Sequence, residues 1–353
     1  QVRAAARLAR TGCDAYAYAM VAAGTMDLVI EADLKSWDVE AAVPVLEGAG
    51  GFVTDWKAQA EHGGFYQALA EGLYAKRGLE VKIIQGGPDV NVPQLLAGGA
   101  ADFGMGSNSF ISMNMVRTGV PVRAVMAIFQ KDPQVLISHP RRDINSLADM
   151  RGKPVLISAA TMSAFWPWLR AKFGFSDKQM RPYNFNIQPF LADNNTAQQG
   201  YLASEPFSIE KEGHFKPSVF MLADQGWPPY ATTIVCSRKT LKARPQAVAA
   251  FVKASMQGWK SYLSADPSPG NALIKKDNPN MSDDLLAFGI RTLKATGTVM
   301  GGDAATMGIG TITEARMKQT YDMLVAHKLL DPKKVSLHNT FTTEFIQNVK
   351  VMP

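Results

Sequence analysis

Cysteine is scarce in this chain: two residues in 353, Cys13 and Cys236. They lie far apart and have no Cys or His companions at metal-ligand spacing, so neither a disulfide framework nor a zinc site is indicated. Both read as buried packing residues. No apolar run reaches the length of about 18 residues that a membrane-spanning helix needs, and the start of the chain shows no charged, apolar, small-residue export signal. Blocks of Lys or Arg are also missing. The formal charge is +6, from 37 basic and 31 acidic residues, and it is spread along the chain, which argues against a nucleic-acid footprint and leaves a mild attraction to anions. There is no P-loop, no nucleophile-elbow serine and no HExxH pair, so the common catalytic signatures are excluded.

What is present is a globular composition, 46% hydrophobic and 19% charged, long enough for two or three packed units. The basic start Gln1 to Arg10 reads as a surface helix. From Val53 onward, strands and helices alternate. Val53-Thr-Asp-Trp56 reads as a short strand ending in an aromatic, followed by a polar loop and a helix opened by His62-Gly63-Gly64. Phe65, Leu69 and Leu73 recur at helical spacing, Gly78 stops that helix, and Leu79, Val81 and Ile83 alternate with charges as a half-buried strand. Further strands are predicted at 101–105, 122–128, 155–158, 184–186, 219–223 and 232–237. Helices are expected at 92–96, 110–117, 159–173, 194–201, from Pro245 along a face of Val248, Phe251, Val252, Met256, Trp259 and Leu263, then at 283–295 and 313–327. Such alternation implies a largely parallel sheet covered on both faces, and chain crossings between two lobes that leave a cleft.

Several segments carry a family resemblance when taken in order. They are Asp55-Trp-Lys-Ala-Gln-Ala-Glu-His-Gly-Gly-Phe-Tyr66, Gly78-Leu-Glu-Val81, Gly98-Gly-Ala-Ala-Asp-Phe-Gly-Met-Gly-Ser107, Leu147-Ala-Asp-Met-Arg-Gly-Lys153, Gln199-Gly-Tyr-Leu-Ala-Ser-Glu-Pro206 and Pro228-Pro-Tyr-Ala-Thr-Thr-Ile234. Over about residues 53–350 the chain resembles an ABC-transporter substrate-binding protein of the type II periplasmic fold, in the branch of thiamine-pyrimidine, nitrate and sulfonate binders. The resemblance implies a two-lobed α/β fold with a helical C-terminal third. Lobe 1 would comprise 53–134 and about 235–353, and lobe 2 would comprise 135–234.

The chemistry of the matched positions agrees. Trp56 offers a flat face on which a planar heterocycle can stack, worth about 1–3 kcal/mol by analogy with base stacking; the alternative is a core tryptophan. His62, at a helix N-terminus where the dipole disfavours its charged form, is a neutral hydrogen-bonding partner or simply a cap. Asn108, beside Ser107, and Ser158, beside Ala159 and Ala160, should face the cleft from opposite lobes, with tight turns as the alternative. The resemblance places a ring-binding carboxylate at Glu205, able to accept paired N–H bonds from an amino-heterocycle, unless it is a solvated loop residue. Tyr230 is expected as a second aromatic wall, while Trp166 and Trp168 read as helix-packing residues.

Residues 12–56, with Ser36-Trp-Asp-Val-Glu40 and Gly48-Ala-Gly-Gly-Phe-Val-Thr-Asp-Trp56, resemble the C-terminal part of an inositol-monophosphatase or histidinol-phosphatase enzyme, and residues 1–52 are taken as a non-catalytic fragment of that kind. The match puts a magnesium ligand at Asp38, but the family's paired-glutamate and Asp-Pro-x-Asp-Gly-Thr motifs are missing, and one carboxylate cannot hold the metals that activate water. The apolar faces of this extension need covering, by the binding lobe or by a second copy in a homo-oligomer.

Together these readings imply a non-catalytic protein without cofactor or metal, which closes on a small planar ligand and presents it to an ABC permease. A thiamine-precursor pyrimidine or related heterocycle is favoured over riboflavin-like rings, nitrate and sulfonates. The competing class is an enzyme, either phosphatase-like or a pyrimidine-precursor synthase, though the latter's cysteine-rich metal motif is not found. The family implies the periplasm; the missing signal keeps a cytoplasmic location open.

Overall fold

The computed structural model describes residues 51–87, 90–162, 164–184 and 186–352. Asp38, Cys13 and the expected self-association face of the N-terminal fragment lie outside these residues.

The first lobe opens with β1 (Gly51–Val53), α1 (Gly63–Ala70), β2 (Lys82–Ile84), α2 (Val92–Ala97), β3 (Phe103–Asn108), α3 (Ser109–Arg117) and β4 (Val122–Phe129). The chain then crosses to β5 (Gln134–Ser138), β6 (Val155–Ile157), α4 (Ala159–Met162), α5 (Trp166–Phe173), β7 (Met180–Pro182), α6 (Gln188–Ala192), β8 (Ala197–Tyr201), α7 (Glu205–Gly213) and β9 (Ser218–Met221). It returns through β10 (Ala231–Ser237) to α8 (Arg238–Ala243), α9 (Pro245–Ser264), α10 (Ser268–Asp277), α11 (Asp283–Ala295), α12 (Ala304–Met307) and α13 (Glu314–Ala326).

Among the described residues two five-stranded sheets result, ordered β2-β1-β3-β10-β4 and β7-β6-β8-β5-β9. Both are mixed rather than largely parallel. β1 runs parallel to β2 and β3, but β10 is antiparallel to β3 and β4, and β5 is antiparallel to β8 and β9. The strand that returns from the other lobe enters from the opposite end, which reverses its direction. β10 pairs with the first sheet along its length, so residues 231–234 stand in lobe 1, ahead of the expected return at 235.

The glycine pair before Phe65 has a packing cause. A Cβ on Gly63 would lie 2.0 Å from the Tyr262 ring, and one on Gly64 would lie 2.2 Å from the Trp259 ring. The start of α1 therefore lies flat against α9, whose predicted apolar face, Val248 through Leu263, is buried. Aromatic rings fill the space between: Phe65 meets Trp259 edge-on at 5.8 Å, and Phe251 stacks on Phe103 at 4.0 Å. Burying each such side chain is worth about 1.5–3 kcal/mol.

Two segments differ from their sequence patterns. The expected helix at 194–201 is the buried strand β8, paired on both sides by β5 and β6. Its polar Gln198 and Gln199 mimic a solvated helix, but central position in a sheet overrides local preference. The expected strand at 184–186 is displaced to β7, where Met180 and Arg181 pair with Val155 and Leu156; Asn184 and Asn186 lie in irregular backbone. The helix expected over 159–173 is divided into α4 and α5, with Pro167 in the first turn of the second piece.

Candidate ligand-binding cleft

β1 ends at Val53, and the chain leaves the sheet in a loop that Thr54 pins. Its Oγ1 accepts the Gly86 N–H at 2.9 Å and donates to the Trp56 carbonyl at 2.8 Å. Only glycine fits at position 86, because a Cβ there would sit 2.2 Å from the Thr54 carbonyl oxygen. The pinned loop carries Asp55 and Trp56 to the carboxyl end of the sheet, and a 3-10 turn, Ala60–His62, delivers Glu61 and His62 ahead of α1.

These groups face a partly open cleft between the two lobes. Lobe 1 contributes Asp55, Trp56, Glu61, His62, Ser107, Asn108 and Thr232; lobe 2 contributes Ser158, Thr161, Gln199, Tyr201 and Glu205. Of the sequence-predicted residues, five meet here: Trp56, His62, Asn108, Ser158 and Glu205. Tyr230 is placed elsewhere. Its ring is fully buried behind the wall, its hydroxyl donates to Asp303 Oδ2 at 2.5 Å, and the Arg316 guanidinium lies 4.4 Å over its face. Trp166 and Trp168 are packing residues in lobe 2, where Trp166 Nε1 donates to Asp177 and Trp168 lies 5.1 Å from Trp227. Cys236 is buried, its thiol pushed up to about 12 by desolvation.

Much of the lining is already held by hydrogen bonds. Asn108 Oδ1 accepts the Phe110 N–H at 3.1 Å and caps α3. Gln199 Oε1 accepts the Ser158 N–H at 2.7 Å, and Ser158 Oγ sits 3.0 Å from Thr161 Oγ1. Glu205 stands at the first position of α7; its Oε2 accepts the Tyr201 N–H at 2.8 Å and its Oε1 accepts the Tyr183 hydroxyl at 3.1 Å. Burial raises the Glu205 carboxyl above the usual range despite those bonds.

The residues that sequence reasoning missed are Glu61, Asp55 and Thr232. Glu61 is 3% exposed, and its Oε1 has no hydrogen-bond partner among the described residues. Desolvation, with smaller contributions from Glu205 and Asp55, pushes its carboxyl up to about 8. His62 is equally buried; its Nε2 lies 3.4 Å from Asp55 Oδ1, and its Nδ1 has no hydrogen-bond partner among the described residues. It caps α1 by position but makes no side-chain cap bond. Thr232 holds φ of 47°, a strained left-handed conformation for a β-branched residue, at the edge of the cavity. Glu61 stands one residue ahead of His62, on a 3-10 turn rather than a helix face.

The electrostatic character is one-sided. Asp55, Glu61 and Glu205 face the cavity, and none of the described residues lining it is Lys or Arg. Such a lining supplies acceptors, amides, hydroxyls and an indole face, with no fixed positive charge for an anion.

Two lobes joined by paired crossings around this cleft make up the periplasmic-binding-protein fold. The chain belongs to the NMT1/THI5-like family, whose model matches residues 59–268. The inositol monophosphatase family matches residues 1–86, so the two matches overlap at 59–86. Over 56 residues the chain is 55% identical to the chloroplastic bifunctional phosphatase IMPL2 of Arabidopsis thaliana, which is 16% of that protein's length. Across 289 residues it is 24% identical to the riboflavin-binding protein RibY of Chloroflexus aurantiacus, spanning 80% of this chain and 81% of the relative. Its fold matches the alkanesulfonate-binding protein SsuA of Xanthomonas axonopodis pv. citri with a TM-score of 0.60 at 16% identity, over 84% of this chain and 99% of that one. The desulfurization enzyme DSZB shares the fold with a TM-score of 0.51 at 14% identity, over 85% and 98% of the two chains. Fold alone therefore does not separate binder from catalyst. No helix among the described residues is long and apolar enough to cross a membrane, and no group of three or more His, Cys, Asp or Glu among them is placed to hold a metal ion.

Proposed function

We propose that the protein captures a small planar amino-heterocycle, a thiamine-precursor pyrimidine or a near relative, between its lobes and delivers it to an ABC permease at the membrane. The observation that carries this reading is the lining itself: one indole, three carboxyl groups, several amides and hydroxyls, and no Lys or Arg among the described residues. A sulfonate or nitrate would bring its negative charge into a lining that, among the described residues, offers no lysine or arginine to meet it. An amino-heterocycle brings N–H donors for the carboxyl oxygens and a π face for Trp56.

The reading takes the protein as a binder rather than a catalyst. Lobe closure would follow from ligand contacts made to both walls at once, Trp56 and Asn108 on one side and Ser158 and Glu205 on the other. The permease partner and a periplasmic location follow from the solute-binding class. Native mass spectrometry of the purified protein is the test. A co-purifying small molecule with the mass of an aminopyrimidine supports the proposal; a sulfonate or other oxyanion in the cleft refutes it.

A further inference from the structure

We propose that Glu61 is the proton donor of the cleft, and that a bound aminopyrimidine is held there as a ring-protonated cation with the Glu61 carboxylate as its counter-ion. The inference rests on the amino-heterocycle reading above and deepens it. The geometric ground is that Glu61 lines the cavity, is 3% exposed, and leaves Oε1 without a hydrogen-bond partner among the described residues. A buried carboxyl oxygen left unsatisfied is costly unless a ligand meets it. Glu205 is differently placed, since both its oxygens already accept bonds from Tyr183 and Tyr201. Of these two, Glu61 alone retains an unsatisfied oxygen.

The surroundings favour a cation. On the same loop and turn Glu61 is faced by Asp55 and His62, from lobe 2 by Glu205 and Tyr201, and from α9 by Tyr262. α11 meets the turn through Gly289, which would bring a Cβ within 2.7 Å of Ala60. With neighbouring carboxyl groups and no lysine or arginine on the described lining, the unliganded site keeps Glu61 in its protonated form. The exchange balances without any other reactant. The Glu61 O–H bond breaks, its proton passes to the lone pair of a ring nitrogen, and a carboxylate and a heteroaryl cation remain as a hydrogen-bonded pair.

The test is ¹⁵N NMR of ring-labelled 4-amino-2-methylpyrimidine bound to the whole protein at neutral pH, where the free base is mostly unprotonated. A ring nitrogen resonance moved to the protonated position in the wild type, and returned to the neutral position in Glu61→Gln, is the expected result, with affinity lowered about tenfold in that variant. A bound ligand with neutral ring nitrogens in the wild type overturns the inference and leaves the amino-heterocycle reading intact. A protonated signature that survives Glu61→Gln but vanishes in Glu205→Gln overturns the assignment to Glu61. Absence of any binding by the wild type removes the amino-heterocycle reading, and this inference with it.

Discussion

Asp132 and Trp227 tie the two interlobe crossings to each other. Asp132 lies between β4 and β5, Trp227 lies between β9 and β10, and the indole Nε1–H donates to Asp132 Oδ2 at 2.7 Å in a fully buried bond. The other carboxyl oxygen accepts the Gln134 N–H at 3.0 Å. One side chain thus fixes both strands of the hinge, directly beside the wall that carries Gln134.

Replacing Asp132 by Ala leaves a buried indole N–H and a buried backbone N–H without acceptors. Each orphaned donor costs about 1–3 kcal/mol, so the denaturant midpoint should fall clearly. An unchanged midpoint would show that the crossings are held by other contacts.

Glu61 predicts a pH dependence of stability. Its folded carboxyl titrates at about 8 against an ordinary 4.5, so between those values the folded protein keeps a proton that the unfolded chain has released. Stability from this group is complete below the lower value and is lost as pH rises through the upper one, at about 1.4 kcal/mol per pH unit. Glu61→Gln should match the wild type near pH 4.5 and exceed it, by about 5 kcal/mol at most, in alkaline buffer. Parallel stability curves for the two proteins would contradict the burial of this carboxyl.

Gly64→Ala probes the α1–α9 contact. Alanine favours a helix by about 1 kcal/mol over glycine, yet here the new methyl would meet the Trp259 ring at 2.2 Å. Overpacking of about 1–3 kcal/mol should win. A raised melting temperature would mean that α9 yields at no cost.

Gly289→Val probes the seam between lobes. A Cβ at this position of α11 would lie 2.7 Å from Ala60 Cβ in lobe 1 and 3.2 Å from the Ala203 carbonyl oxygen in lobe 2. The neighbouring contact of Phe207 with Phe288, at 5.1 Å, spans the same seam. The variant should show a larger radius of gyration by solution scattering and weaker ligand binding, with secondary structure unchanged. Wild-type scattering from the variant would exclude a role for this contact in closure.

The two-lobed plan was legible in the sequence because it rests on features that repeat: alternating apolar residues, glycine stops and the long apolar face of α9. β8 was not, since Gln198 and Gln199 are polar and only their neighbours β5 and β6 make them a buried strand. Trp56, His62, Asn108, Ser158 and Glu205 could be placed at the cleft because each sits near the end of a recognisable strand or the start of a helix. Tyr230 sits immediately before β10, but its ring packs with Asp303 and Arg316, far away in sequence, and not on the cleft lining. Glu61 is hidden in the sequence for the converse reason. A glutamate in a polar loop reads as solvated, and only the folded cleft between the lobes buries it.

The central claim is that an aromatic, acidic cleft selects an amino-heterocycle over an anion. Titration calorimetry of the wild type and Trp56→Ala with 4-amino-2-methylpyrimidine, riboflavin, an alkanesulfonate and nitrate tests it most directly. The expected result is tight binding of the aminopyrimidine, weakened about tenfold to a hundredfold by loss of the indole face, with no heat from sulfonate or nitrate. Tight binding of an oxyanion with the aminopyrimidine silent would contradict it.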